Sequence, residues 1–233
     1  MQYDMIVDGQ SLRSHGFLIV KRPDRGTAKK KYLTNEVLAH DGTFYRDTGF
    51  FEDEEQTVEF NYLSDPDLWA GKLREFREII DSAKEVLFTD DPHFFRKVKK
   101  VEIGSCERPV RRLGKVSAIF TFDPYDYYVP GYRYYRNPEE YRFNPMPNRC
   151  RPIYLIDGSG ECTLTVNGYA CRVIVPDRIY LDCEKQIAYD QGRGNRCANT
   201  DAVYEKLELA PGENAISVSS GFSLQVMPNW RSR

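Results

Sequence analysis

Glu161-Cys162-Thr163-Leu164-Thr165-Val166-Asn167-Gly168-Tyr169-Ala170-Cys171-Arg172-Val173-Ile174 decides the fold. Asn167-Gly168 tolerates positive φ at both positions, as a two-residue type I′ turn requires, and apolar residues recur at every second position on either side of it. With 167 and 168 as the loop, Val166 faces Tyr169, Leu164 faces Cys171 and Cys162 faces Val173. One face then carries Cys162, Leu164, Val166, Tyr169, Cys171 and Val173. The other carries Glu161, Thr163, Thr165, Ala170, Arg172 and Ile174, so chemistry assigns the inward side and with it the register.

Working outward, 152–156, 178–183, 214–218 and 222–226 are further apolar, β-branched runs bounded by turn residues, and with the hairpin they predict a small β-sandwich. Upstream, Phe17-Leu18-Ile19-Val20, Thr57-Val58-Glu59-Phe60 and 116–122 predict more antiparallel strands. The expected fold class is therefore mainly β with one helix. That helix is predicted over 66–82: Asp65 as cap, Pro66 in the first turn, and Trp69, Leu73, Phe76 and Ile80 on one face. A single amphipathic helix beside many strands covers a sheet. Pro130-Gly131, Asn137-Pro138, Asn144-Pro145, Pro147 and Pro152 each oppose a long helix or a central strand. They place a boundary near 125–135, giving domains 1–130 and 131–233.

Of the 233 residues, 41% are hydrophobic and 29% charged, which excludes a disordered tail and suits one large or two small domains. Basic and acidic residues number 33 and 35, and the near-neutral balance holds in both halves, so neither half is a nucleic-acid arm or a membrane patch. No apolar run reaches the ~18–20 residues of a membrane span, and Met1-Gln2-Tyr3-Asp4 lacks the order of a secretory signal. The expectation is a soluble chain made in the cytosol. Cys106, Cys150, Cys162, Cys171, Cys183 and Cys197 are too dispersed for zinc-clamping pairs and read as reduced, mostly buried residues.

Catalytic signals are weak. His15, His40 and His93 are the only histidines, and none sits in an H-E-x-x-H or H-x-E arrangement. Gly158-Ser159-Gly160 lacks the flanks of a nucleophile elbow or phosphate loop, and Gly192-Arg193-Gly194 lacks the third glycine of a dinucleotide site; both read as loops. Asp157/Glu161 and Asp182/Glu184 are carboxylate pairs at strand ends, compatible with glycosidase chemistry but more simply solvated edges. Lys29-Lys30-Lys31 and Arg96-Lys97-Val98-Lys99-Lys100 read as solvated faces or charge-protected edge strands. Seven tyrosines at 125, 127, 128, 132, 134, 135 and 141 could stack on sugars, fill an interface or pack a domain boundary. Glu52, Asp53, Glu54 and Glu55 form an acidic run that reads either as a solvated turn or as a patch repelling a polyanion. The segment from about 28 to 60 holds Tyr32, Leu33, Phe44, Tyr45, Phe50 and Phe51 without an evident core of its own.

Gly158-Ser159-Gly160, the 164–168 hairpin, Ile179-Tyr180-Leu181-Asp182-Cys183-Glu184, Tyr189, Leu207-x-Leu209-x-Pro211-Gly212-x-Asn214-x-Ile216 and the ending Met227-Pro228-Asn229-Trp230-Arg231 together resemble the C-terminal half of the distal tail proteins (Dit) of siphophages. Asp41-Gly42 and Phe120-Thr121-Phe122-Asp123-Pro124-Tyr125 are similar to the N-terminal half. The resemblance implies an N-terminal ring-forming, β-sandwich-like domain with a hairpin belt gripping its neighbour, and a C-terminal galectin-like β-sandwich. It implies a homo-oligomeric ring, usually a hexamer, that joins the tail tube to the tip of a virion. Implied partners are the tail tube, tape measure and tail-tip or receptor-binding proteins, with DNA passing through the lumen. The belt falls on Tyr32, Leu33, Phe44, Tyr45, Phe50 and Phe51, and its expected Gly-Arg-Asp-Gly reads Ala39-His40-Asp41-Gly42. Residues 52–55 become candidates for the lumen. Neither catalysis nor a cofactor nor a metal is expected. The alternatives are a lectin-like adhesin using the tyrosine-rich stretch, and a glycosidase.

Diagonal cross-strand neighbours such as Cys162 and Cys171 lie about 7–8 Å apart at Cα, beyond the ~4.4–6.8 Å of a disulfide. Mass spectrometry after non-reducing digestion should find this pair uncrosslinked; a crosslink would contradict the register.

Overall fold

The computed structural model describes residues 3–36 and 41–233. The chain divides into two compact units, Met1–Asp126 with Arg233, and Tyr127–Ser232. The cut falls just before the boundary expected at 130.

The first unit contains β1 (Met5–Val7), β2 (Gln10–Ser11), β3 (Phe17–Ile19), β4 (Lys30–Glu36), β5 (Thr43–Phe51), β6 (Glu54–Leu63), α1 (Trp69–Asp81), β7 (Glu85–Phe88), β8 (Phe94–Val110) and β9 (Leu113–Tyr128), whose last two residues belong to the second unit. Its main sheet runs β2-β1-β7-β8-β9-β6-β3, while β4 and β5 form a separate two-stranded sheet. Along β6 and β9 the pleat sends Val58, Phe60, Tyr62, Val116, Ala118, Phe120 and Phe122 to one side, where Leu73, Phe76 and Ile80 of α1 complete the core. Phe76 meets Phe17 and Phe60 edge-on, with ring centroids 5.0 and 5.2 Å apart. Gly114 is required here, because a Cβ would lie 2.2 Å from the Tyr62 ring.

The helix has the expected face but a later start. Leu68 is its N-cap and makes no side-chain cap bond, so neither Asp65 nor Pro66 plays the predicted role. Instead the Asp65 carbonyl accepts the Leu68 amide in a preceding turn, and its carboxylate pairs with Arg112 at 3.2 Å. Of the basic run at 96–100, Lys99 and Lys100 lie on a solvated face, but β8 is an interior strand and not an edge, and Arg96 is buried.

The second unit contains α2 (Pro138–Tyr141), β10 (Phe143–Asn144), β11 (Ile153–Asp157), β12 (Gly160–Val166), β13 (Tyr169–Val175), β14 (Arg178–Asp182), β15 (Ile187–Tyr189), β16 (Gly212–Glu213), β17 (Ile216–Val218), β18 (Ser223–Met227) and β19 (Arg231–Ser232), with three short 3₁₀ turns. The order β15-β14-β11-β18 makes one sheet and β13-β12-β17 the other. Tyr154, Ile156, Ile179, Leu181 and Val226 from the first share one buried cluster with Cys162, Leu164, Val166, Cys171, Val173 and Ile216 from the second, which is a β-sandwich. The β12–β13 register is the one read from the sequence, with φ of 49° at Asn167 and 85° at Gly168. Asn137-Pro138 starts a helix of only four residues, in keeping with a pair that opposes a long one. Pro138 occupies its first turn, and the Asn137 side chain accepts the Glu139 amide at 3.2 Å. All six cysteines are free thiols.

Substitution separates core from surface in the first unit. Phe76→Ala should cost about 3–5 kcal/mol. Asp65→Ala, which removes only an exposed ion pair, should cost ~0.5 kcal/mol or less. Urea unfolding checks both, and a large loss at Asp65 would restore it as a cap.

Candidate assembly surface

Among the described residues, the β4–β5 hairpin carries its apolar side chains outside both buried cores. No other strand pairs with it among the described residues. Its register sets Tyr32 against Asp47, Leu33 against Arg46 and Thr34 against Tyr45, with an irregularity between Lys30 and Tyr32. Alternation then puts Tyr32 and Tyr45 on one face and Leu33 and Phe44 on the other. Both faces are exposed: Tyr32 50%, Leu33 57%, Phe44 51%, Tyr45 68%, and at the base Phe50 59%. Tyr32 and Tyr45 meet edge-on at 6.2 Å, and Phe51 meets Tyr125 at 6.0 Å. The nine residues of β5 span about 30 Å, so the hairpin is a long arm with apolar side chains on two sides.

The expected belt segment of 28–60 is too long. Its last part belongs to β6, where Gln56, Val58 and Phe60 are buried in the main sheet. Ala39 and His40 of the expected belt motif lie outside the described residues.

The hairpin root is fixed by ionic contacts. Glu54 Oε1 accepts the Gly26 amide at 3.1 Å, and Gln56 Nε2 donates to the Asp24 carbonyl at 3.0 Å. Arg96 reaches Glu54 at 2.6 Å and Asp126 at 3.3 Å, with its guanidinium over the Phe122 ring. Burial pushes the Asp126 carboxyl above its ordinary pKa, while the Arg96 charge pulls it back. Lys99 holds Asp53 at 2.5 Å and Asp123 at 3.2 Å. Higher on the arm, Lys30 and Asp47 pair at 2.6 Å; their hydrogen bond raises the lysine and lowers the aspartate.

The acidic run therefore splits. Glu54 is turned inward, Asp53 is ion-paired, and Glu52 and Glu55 stay exposed. Sequence reading missed Arg96, Gln56 and Asp126. The signal was the alternation of β6, which puts 54 and 56 on the same side as Val58 and Phe60.

The remaining sequence candidates have structural partners. Asp157 pairs with Arg178 and accepts from Gln225, and Asp182 accepts the amides of Glu184 and Lys185. Of the tyrosine-rich stretch, Tyr127, Tyr135 and Tyr141 are buried, whereas Tyr132 and Tyr134 are each 37% exposed. Among the described residues no three His, Cys, Asp or Glu side chains converge as metal ligands, and no helix is long and apolar enough to cross a membrane.

No family model and no curated protein matches this sequence. Among solved structures, the chain is similar to the Dit (gp 19.1) protein of phage SPP1, described as a paradigm of the hub adsorption apparatus in phages infecting Gram-positive hosts. The TM-score is 0.64 at 13% identity, over 97% of this chain and 98% of that one, so the likeness is one of fold.

Because their side chains are exposed within a single copy, Phe44→Ser and Tyr45→Ser should each leave the unfolding free energy of the chain, diluted until it is monomeric, within ~0.5 kcal/mol. A larger loss in denaturant titration would make them part of the chain's own core.

Proposed function

We propose that the chain is a structural hub protein of a phage tail tip, of the distal tail type, acting by assembly and not by catalysis. The observation that carries this is a fold shared from end to end with a hub protein. The β4–β5 arm supports it independently, since apolar side chains exposed on both faces of a hairpin mark a surface that a partner covers.

In this reading the arm is the belt. It packs on the next copy, whose own arm packs on the one after, a head-to-tail contact that closes into a ring when the rotation permits. Six copies are the number implied by the resemblance. Tyr32, Leu33, Phe44, Tyr45, Phe50 and Phe51 supply the contact area, and the root holds the arm at a fixed angle. The exposed carboxylates of Glu52 and Glu55 face the lumen, where negative charge keeps passing DNA off the wall. The C-terminal sandwich is the galectin-like domain of the ring, and the tube, tape measure and tip proteins dock on the ring in the virion.

Light scattering of the purified chain should give a particle of several copies, near six times 27.1 kDa for a hexamer. Deleting 28–48 should reduce it to a monomer with a folded sandwich, and in infected cells should stop tail assembly. A wild-type chain that stays monomeric at high concentration, or deletion phage with complete tails that fail only to attach, would refute the hub.

A further inference from the structure

Gly192-Arg193-Gly194 lies in the second unit, outside the β4–β5 arm, and is tightly built. Asp190, just after β15, closes the loop. Its carboxylate accepts the Gly194 amide at 2.8 Å and Arg196 Nε at 3.0 Å, and its backbone exchanges hydrogen bonds with Gly194 and Arg193 at 3.1 and 3.0 Å. A Cβ at 194 would lie 2.8 Å from that carboxylate and would have to displace it from its partners. The closure sets Arg193 at φ 64°, a left-handed backbone that an arginine adopts at a cost and that points to a use for its side chain.

The guanidinium of Arg193 lies 5.0 Å above the Tyr189 ring. Tyr189 stacks on its cross-strand partner Tyr180 at 5.0 Å and 7°, and Tyr134 meets Tyr180 edge-on at 6.4 Å. Burial raises the Tyr134 and Tyr189 hydroxyls above the ordinary phenol pKa, which keeps them protonated donors. The nearby carboxylates are committed: Asp190 to Gly194 and Arg196, Asp182 to the Glu184 and Lys185 amides and the Lys185 ammonium. Among the described residues none pairs with Arg193. It is an exposed cation carried on a pinned loop above an uncharged aromatic floor.

We propose that Arg193, on the floor of Tyr134, Tyr180 and Tyr189, is a docking point for an acidic segment of a partner protein, one of whose carboxylates it binds. A guanidinium over a ring keeps its in-plane N–H fork for bidentate pairing with a carboxylate. Tyrosine and arginine are the residue types that dominate binding energy at protein interfaces, and a loop already fixed loses little entropy on docking. A neutral sugar is the poorer fit, because the faces of Tyr180 and Tyr189 already engage each other and Arg193. The lectin-like use of these tyrosines is thus disfavoured.

Fluorescence anisotropy of the full chain with fluorescein-labelled, C-terminally amidated hexaglutamate at low salt tests this, with labelled hexagalacturonate as the saccharide of equal charge. Hexaglutamate should bind at least tenfold more tightly than the saccharide. Arg193→Gly should weaken it at least tenfold with an unlowered thermal midpoint, since glycine adopts the left-handed backbone freely. Hexaglutamate affinity that survives Arg193→Gly, absence of peptide binding, or saccharide affinity within tenfold of the peptide or above it would each overturn the proposal.

Discussion

Arg96 is a cation inside the first unit, and a buried cation must find carboxylates or unfold the region around it. It takes two, Glu54 from the start of β6 and Asp126 from near the end of β9. That requirement fixes where the chain passes from the exposed arm into the main sheet. Glu54 cannot move by one residue without sending its carboxylate to the other face and Val58 and Phe60 out of the core. The same carboxylate holds Gly26, so the segment leading into the arm and the strand that follows the arm are tied at one point. An arm without a core acquires a direction from the ion pair at its base.

This arrangement suits a contact that must remain open until a partner arrives. An apolar edge that is long and regular invites indiscriminate pairing. Here Lys30, Asp47 and Arg46 interleave with the aromatic residues, and the irregularity between Lys30 and Tyr32 interrupts the ladder. Charge keeps the isolated arm in solution. A partner that matches the charges as well as the apolar positions is favoured over one that offers only apolar surface.

The parts legible in the sequence are those governed by a local period. Asn167-Gly168 and the alternation around it specify a hairpin, a register and an inward face without help from the rest of the chain. The face of α1 was legible for the same reason. Its start was not, because Asp65 and Pro66 form a plausible cap in one dimension while the Leu68 turn and Arg112 claim that segment in three. Arg96 was opaque in a different way. Among Lys97, Lys99 and Lys100 it looks solvated, and only the pairing of β8 between β7 and β9 reveals that it is enclosed. The exposed aromatics of the arm could be named from sequence, but where the arm ends could not, since that depends on which residues find a place in the main sheet.

Several of the chain's loops share one construction, in which a carboxylate accepts backbone amides and stands in for a hydrophobic core. Asp8 holds the amides of Lys84 and Glu85, Asp47 that of Gly49, Asp182 those of Glu184 and Lys185, and Asp190 that of Gly194. A charge-assisted bond of this kind needs the acceptor ionised. At Asp47 the hydrogen bond from Lys30, and at Asp190 the one from the Gly194 amide, keep the carboxyl below its ordinary pKa. A depressed pKa gives stability that is present above the unfolded value and is lost only as pH falls through the folded one. Asp47 and Asp190 therefore stay ionised, and keep these hydrogen bonds, to lower pH than an unassisted carboxylate. In both outward-facing elements the carboxylate that shapes the loop is distinct from the side chains presented outward, Tyr45 and Phe44 on the arm and Arg193 on the loop, and from the alternating cores behind them.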